Sequence, residues 1–252
     1  MKKTLILFAL ICTVSFSYAQ LGRFYPINFP KYSFPKGLSQ FGFTLFLYKD
    51  GNYKIELERE PLSDVIITGY TISIGKYVVK NNSIVLTDSY TGSKMLFQLG
   101  SSNLKPVKTF PFMKDIVFKE YYEYYRSSEP SYKMKETTAE KLVKEFEEKN
   151  IKNNPFTEGL YRFEYMRGER FDIILHNDKY EFSFKLWENL PFSVKVELDL
   201  CLIISTGTWE RNGNILMLWD TNLQHKFYGL IREDGIELLF FRWVDDMIFI
   251  KR

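Results

Sequence analysis

One pattern of residues occurs twice in this chain with the same internal spacing. The first copy, Ser73 to Asp88, is S-I-G-K-Y-V-V-K-N-N-S-I-V-L-T-D, and the second, Ser205 to Asp220, is S-T-G-T-W-E-R-N-G-N-I-L-M-L-W-D. Serine, glycine, an aromatic residue, asparagine and aspartate keep their places in both. Each copy predicts a strand, a tight turn and a second strand. A hairpin that recurs in this way favours a fold that is built twice.

Two further pairs of segments support the duplication. Asp50-Gly51 lies between alternating apolar residues in the first half, and Asn177-Asp178 lies in the same setting in the second. Asp-Gly is a strong hairpin signal. The F-x-x-D-x-x-F segment that ends at Phe118 matches the W-x-x-D-x-x-F segment that ends at Phe249. We therefore expect two versions of one β unit.

The predicted fold class is mainly β, with two homologous antiparallel meanders joined by one α-helix. The 23 Phe and 17 Tyr residues favour strands. Each meander is a barrel or a half-barrel, so the pattern allows two small barrels or two halves of one larger sheet.

Ile215, Met217 and Trp219 make the outer face of one strand apolar. A strand that is apolar on both faces is covered on both, and we expect the first copy or the helix to cover this one.

The segment between the copies predicts the helix. Thr137 and Glu140 form a capping box, and Pro155 follows the helix end. Apolar residues recur at helical spacing: Ala139, Leu142, Val143 and Phe146. The opposite face is charged, which indicates a connecting helix that packs one stripe against a sheet.

The first 19 residues resemble a secretory signal. Lys2 and Lys3 precede a short apolar run, and Ser17-Tyr18-Ala19 provides small residues before Gln20. An uncleaved anchor is the alternative, but the run is short for a bilayer. The residues before Cys12 argue against lipidation. Cleavage removes two lysines and lowers the formal net charge from +3 to +1, which leaves no basic surplus for nucleic acid. We expect an exported protein of the periplasm, outer envelope or extracellular space.

The chain is expected to divide into five parts: a signal peptide at 1–19, an irregular lead-in at 20–36, a first β repeat at 37–120, a linker at 121–158 with its helix at about 137–150, and a second β repeat at 159–252. Three prolines between residues 26 and 35 suggest the irregular lead-in. The repeats are predicted to open at Gly37 and Gly159.

Metal and thiol chemistry have little support in the sequence. Beyond the signal only His176, His225 and Cys201 remain as nitrogen or sulfur ligands, and no Cys-x-x-Cys or His-x-x-x-His spacing occurs. We predict no metal and no cofactor. Cys201 lies in an apolar segment and is expected to be a buried filler.

Paired carboxylates are the alternative that would allow hydrolysis. The repeat-equivalent pairs are Asp88 with Asp220 and Asp115 with Asp246. Aspartate also caps turns at strand ends, which explains its recurrence without catalysis. No nucleophile motif such as Gly-x-Ser-x-Gly occurs. We therefore expect no catalytic residue.

Aromatic residues that break the repeat are the candidate contact surface. Trp209 takes the place of Tyr77 and is expected in the core, whereas Trp187 and Trp219 have no aromatic counterpart. We predict contacts to a ligand or partner at Trp187, Trp219, Met217 and Ile215. The copies differ most at Trp219 and Met217, and at an insertion before Cys201.

The strand pattern at residues 45–55 and 75–86 resembles secreted lipocalin-like β-barrels, including the N-terminal barrel of the copper-stress outer-membrane lipoproteins. The resemblance implies a meandering antiparallel barrel. Those lipoproteins carry a Cys-x-x-Cys that this sequence lacks, so no metal function follows. The residue usage also resembles exported proteins of Bacteroides-type bacteria.

The sequence favours an exported non-enzymatic module that binds a small apolar or sugar ligand, or another envelope protein. The alternatives are a hydrolase with acidic residues where the repeats meet, and a structural envelope component. Neither a nucleic-acid partner nor a transmembrane segment after signal cleavage is expected.

Overall fold

The computed structural model describes residues 22–26, 40–48, 50–60, 69–121, 137–149, 152–164, 169–189, 195–240 and 247–252. The predicted signal peptide at 1–19 lies outside these ranges. The described chain forms two closed antiparallel β-barrels of eight strands each, with one α-helix between them in sequence. The prediction of two homologous β meanders joined by a helix is confirmed, and each meander closes on itself.

The first barrel follows chain order, and its first and last strands pair to close it. Its strands are β1 (Gly22–Pro26), β2 (Gln40–Leu47), β3 (Asn52–Glu60), β4 (Gly69–Lys80), β5 (Ser83–Asp88), β6 (Lys94–Leu99), β7 (Asn103–Lys108) and β8 (Phe118–Tyr121). A short 3-10 helix, Pro111–Met113, precedes β8 and lies against the second barrel.

The second barrel repeats this topology. Its strands are β9 (Gly159–Glu164), β10 (Glu169–His176), β11 (Lys179–Asn189), β12 (Lys195–Asn212), β13 (Ile215–Asp220), β14 (His225–Ile231), β15 (Ile236–Leu238) and β16 (Ile248–Lys251). Strand β16 pairs with β9 to close the barrel. Because β9 pairs with β10 and β16 as β1 pairs with β2 and β8, β9 is the counterpart of β1.

The expected irregular lead-in contains the first strand of the barrel. Strand β1 lies within residues 20–36 and pairs with both β2 and β8. Pro26 is its last residue, a position where a missing N–H removes little from the ladder. The first barrel therefore begins upstream of the predicted opening at Gly37, and the match of Gly37 with Gly159 was wrong.

Two glycines of the repeated pattern are required by close contact between strands. A Cβ atom on Gly75 would lie 1.9 Å from the carbonyl oxygen of Thr87, and one on Gly207 would lie 1.8 Å from that of Trp219. No side chain fits at such distances. The glycine of the pattern is therefore fixed by the approach of β4 to β5, and of β12 to β13.

Large apolar side chains fill both barrel interiors. Tyr53, Phe97 and Phe118 are buried in the first, and Phe171, Phe182, Phe184, Phe227 and Phe249 in the second. The ring centroids of Phe171 and Phe184 lie 4.9 Å apart. Burial of one such side chain stabilises a fold by roughly 2–3 kcal/mol. These side chains occupy the space that a lipocalin-like barrel would use for a ligand.

The helix α1 (Ala139–Lys149) packs on the outside of the second barrel. Its buried residues are Ala139, Val143 and Phe146, as its apolar spacing predicts. They contact the outward side chains Ile215 and Leu230 and the partly buried Met217. The helix therefore covers Ile215 and Met217 on the outer face of β13, whereas Trp219 on the same face remains exposed. Thr138 accepts a hydrogen bond from the Lys141 N–H, so this residue caps the helix, one position after the predicted Thr137.

The first barrel meets the helix and the second barrel at one turn. The Ala139 N–H donates to the Tyr90 carbonyl over 3.1 Å, and the Tyr90 side chain joins the apolar cluster under the helix. The next carbonyl, on Thr91, lies 2.9 Å from His225 Nε2 in β14. The two barrels are thus in direct contact through this turn, whereas the helix lies over Ile215 and Met217 on the apolar outer face.

Candidate functional site

The serine and aspartate of the repeated pattern belong to a buried chain of hydrogen bonds in each barrel. In the first barrel, Tyr53 Oη lies 2.7 Å from Ser73 Oγ, and that hydroxyl donates to Asp88 Oδ2 over 2.6 Å. Because the serine proton goes to the aspartate, the tyrosine is the donor to the serine. Oδ1 of Asp88 accepts from the N–H groups of Tyr90 and Thr91. The chain therefore ties three strands to one turn.

The second barrel repeats the chain with Tyr180, Ser205 and Asp220. Asp220 also accepts from the Leu223 N–H in the following turn. Burial raises the pKa of Asp220, and hydrogen bonds from Leu223 and Ser205 partly oppose the effect. Burial and the charge of Asp220 also raise the pKa of Tyr180.

A β-bulge in each barrel turns the serine side chain toward the barrel interior. The pairing of β3 with β4 shifts between Ile55 and Glu56, so Ile72 is the extra residue beside Ser73. The pairing of β11 with β12 shifts in the same way beside Ser205. A bulge reorients the neighbouring side chain. These serines and acids serve the fold in both copies.

The repeat-equivalent acids Asp88 and Asp220 are engaged in the fold. Asp88 and Asp220 are buried, each in its own barrel, with their oxygens engaged by serine and by turn N–H groups. Asp115 is exposed, after the 3-10 helix, and Asp246 lies outside the described residues. Turn capping by Asp88 and Asp220 explains why aspartate recurs at that position.

His225 is a titratable side chain at the contact between the barrels. It contacts the Thr91 carbonyl and lies within electrostatic reach of Asp88, Asp220 and Lys108. Burial is the main effect and lowers the pKa of His225, although the Thr91 carbonyl and the two acids oppose it. We infer that the histidine helps to join the two barrels.

The four predicted contact residues separate into distinct environments. Ile215 is buried and Met217 is partly buried, both beneath the helix. Trp187 belongs to β11, but its side chain lies outside the described set. Trp219 points outward from β13 and remains 48% exposed. Its neighbours in the pairing register are Thr208 and Lys226.

A groove of about 460 Å³ lies on the outer wall of the second barrel, and one of its lining residues, Thr208, is the cross-strand partner of Trp219. Its rim crosses β10 to β12 and the turn after β13, and its lining residues are Ile174, His176, Lys179, Tyr180, Glu181, Thr206, Gly207, Thr208 and Thr221. Thr206 pairs with Glu181, and Thr208 pairs with both Lys179 and Trp219. Polar side chains of both charge signs therefore converge on one concave patch.

The first barrel has apolar and cationic side chains at the equivalent place. The matching registers equate Phe46 with Ile174, Lys54 with Glu181, and Ile74 with Thr206. Lys54 is buried, with its ammonium 5.0 Å from the centre of the Phe46 ring. The Phe46 ring also stacks with that of Tyr48. The hydroxyl-lined groove is thus specific to the second barrel.

A charged cluster lies farther along the same outer wall. Arg162 holds the buried Asp172 through two hydrogen bonds of 2.7 and 3.1 Å. Lys185 lies 3.4 Å and Arg170 3.7 Å from the same carboxylate. Burial alone would raise the pKa of Asp172, but the cations outweigh it, Arg162 most of all, and the pKa is lowered.

Most of the groove was not predicted from the sequence. The signal was present in the repeat: S-I-G-K of the first copy becomes S-T-G-T in the second, so Ile74 and Lys76 give way to Thr206 and Thr208. Outward positions that change from apolar or charged to hydroxyl-bearing would have pointed to this wall. Ile174, His176 and Glu181 come from another hairpin, and only the register places them there.

Cys201 does not have the buried position expected of it. It is exposed on β12, whereas its neighbour Leu202 is buried. The strand alternates here, because its second face is open to solvent at this end.

Within the described ranges, no group of three or more His, Cys, Asp and Glu side chains is arranged to hold a metal ion. No helix in the described part of the chain is long and apolar enough to cross a membrane.

The fold and groove define a class of mainly β, two-barrel proteins with buried apolar side chains inside the barrels and a groove on the outer wall of the second barrel. No family model matches the chain, and no curated protein matches it. Among solved structures, the chain is similar to the crystal structure of the Cpx pathway activator NlpE from Escherichia coli, with 12% identity over 73% of this chain and 91% of that one, at a TM-score of 0.24. At these values, the similarity identifies neither a family nor a function.

Proposed function

We propose that this chain is an exported, non-enzymatic module that binds a ligand in the groove on the outer wall of its second barrel. The groove itself carries the proposal, since it is concave and combines apolar surface with several polar side chains. Export rests on the sequence of residues 1–19. The groove stands on paired strands, which hold Thr206 and Thr208 in fixed positions.

The filled interiors favour the outer wall as the binding surface. Buried aromatic and aliphatic side chains pack the described interior of each barrel, which favours a binding surface on the outside. The engagement of Asp88 and Asp220 in turn capping favours binding over hydrolysis. Trp219, half exposed and paired across the strands with the groove residue Thr208, adds a large apolar surface that a bound molecule can cover.

Native mass spectrometry of the protein isolated from its exported compartment tests the proposal. We expect a retained molecule in the wild-type protein. The double variant Thr206→Ile with Thr208→Lys installs the residues that the first barrel carries at Ile74 and Lys76, and we expect it to lose the molecule. Equal retention in both proteins, or a bare mass for the wild type, contradicts the proposal.

The reverse exchange is the matched control. Ile74→Thr with Lys76→Thr changes the same two register positions in the first barrel and leaves the groove intact. This variant should retain the molecule as the wild type does. Circular dichroism and thermal unfolding of both double variants establish that the barrels remain folded.

A further inference from the structure

We propose that the ligand of the groove is a saccharide, held by stacking on Trp219 and by hydrogen bonds to the threonine hydroxyls. The inference rests on the proposed function and names its ligand class. It starts from one row of outward side chains, in which Lys179, Thr208, Trp219 and Lys226 are successive partners across β11 to β14. The indole thus adjoins the hydroxyl-lined floor.

The lining is hydroxyl-rich and carries both charges. Thr206, Thr208 and Thr221 each offer a hydroxyl that donates one hydrogen bond and accepts others. Glu181 adds an acceptor, and Lys179 adds a donor. A sugar ring bears several hydroxyl groups that both donate and accept. The groups of the groove match that pattern without requiring a particular ligand charge.

The exposed indole supplies the other half of sugar recognition. A sugar ring has a face of C–H groups, and an indole offers a flat apolar surface of matching shape. Trp219 is 48% exposed, whereas its equivalent in the first barrel is the partly buried Thr87. The large aromatic side chain thus occurs where the hydroxyls do, in the second barrel.

Other ligand classes fit the groove less well. A purely lipophilic ligand would leave the threonine hydroxyls and the charged groups of Glu181 and Lys179 without hydrogen-bond partners. A polyanion requires several cations in convergent positions, and here Glu181 offsets Lys179. The cationic groups Arg162, Arg170 and Lys185 gather instead around Asp172.

Isothermal titration calorimetry with neutral tetrasaccharides tests the inference. The probes are β-1,4-linked glucose and N-acetylglucosamine, and α-linked glucose and mannose. We expect at least one to bind the wild-type protein. Trp219→Ala should weaken binding about tenfold or more, as loss of a central aromatic contact does. Thr206→Ile with Thr208→Lys should abolish it.

Two controls separate the groove from the rest of the surface. Thr87→Ala alters the position equivalent to Trp219 in the first barrel and should leave the affinity unchanged. Trp219→Phe retains an aromatic face and should restore part of the affinity lost in Trp219→Ala. Saccharide binding that is insensitive to Trp219→Ala and to the threonine changes would overturn the inference.

The failure of the inference and the failure of the proposed function give different results. If no probe binds but mass spectrometry finds a retained non-saccharide that depends on Thr206 and Thr208, the saccharide is wrong and the binding function stands. If no probe binds and the wild-type protein has a bare mass, both are wrong. A retained molecule that yields free sugars on acid hydrolysis supports both.

Discussion

The hydroxyl of Ser73 donates a 2.6 Å hydrogen bond to the carboxylate of Asp88, and the two residues lie on neighbouring strands of the first barrel. The second barrel repeats the bond between Ser205 and Asp220, although its strand β13 carries a tryptophan where β5 carries a threonine. A polar contact that survives in both copies while the surrounding surface changes has a structural role. It fixes the strand register, and in this register the glycine of the pattern lies against a backbone carbonyl of the neighbouring strand.

Removal of the acid should destabilise the first barrel strongly. Asp88→Ala leaves the Ser73 hydroxyl and the N–H groups of Tyr90 and Thr91 without their acceptor. Buried groups that lose a partner cost roughly 1–3 kcal/mol each, so we expect a loss of about 3 kcal/mol in the free energy of unfolding. Urea denaturation measures it. Asp234→Ala, at an exposed loop position, should change stability by less than about 0.5 kcal/mol; equal losses would contradict this role.

The glycine of each copy should tolerate no side chain. Gly75→Ala and Gly207→Ala place a methyl group against a backbone oxygen that belongs to a neighbouring strand. We expect a loss of about 3 kcal/mol or more, because a backbone contact cannot relax as a flexible side chain can. The control is Gly92→Ala, which has a φ of +73° and no atom within 4 Å of the added carbon. It should lose only about 1 kcal/mol, and a similar loss at all three sites would refute the argument.

The packing of the helix against the second barrel should depend on Phe146. Its ring is buried under the helix, and the Arg232 guanidinium lies 4.9 Å from the ring centre. Phe146→Ala should cost about 3 kcal/mol and expose Ile215 and Met217. Hydrogen–deuterium exchange in residues 139–149 and the binding of a hydrophobic dye measure both effects. Glu148→Ala on the exposed face should change neither, and unchanged exchange in Phe146→Ala would show that the helix does not need this contact.

Acidification should weaken the contact between the barrels through His225. Since its pKa is lowered in the folded protein, the unfolded chain binds the proton more readily, and stability falls as the pH decreases below about 6.5. Asp220 acts in the opposite direction, because a raised pKa favours the folded state at low pH. The two effects must therefore be separated.

His225→Gln separates them, since its amide can still donate to the Thr91 carbonyl but does not titrate. The stability of the wild type relative to this variant should fall from pH 7 to pH 5, whereas the contribution of Asp220 is common to both proteins. Urea denaturation at each pH gives the difference. A difference that is constant over this range would show that His225 keeps its ordinary affinity for protons.

The repeated hairpins and the helix could be predicted from the sequence. The features that depend on pairing between distant strands could not. Asp50-Gly51 and the apolar spacing of the helix are local signals, and both elements formed where expected. Strand β1 was missed, because five residues that end in Pro26 carry little local signal for pairing with β8. Cys201 was misplaced, since an apolar run does not reveal which face of its strand remains open. The groove was missed because Glu181 and Thr206 meet only through cross-strand pairing.

Each barrel closes through the pairing of its first strand with its last, so the chain enters and leaves at the same point. Arg23 at the start of the first barrel lies across from Tyr121 at its end, and Tyr161 lies across from Lys251 in the second. A unit whose two ends are adjacent can be connected to other chain segments at a single place on its surface. Such a unit can be joined to a second copy, or inserted into another chain, through short connectors, and the flanking segments keep their paths.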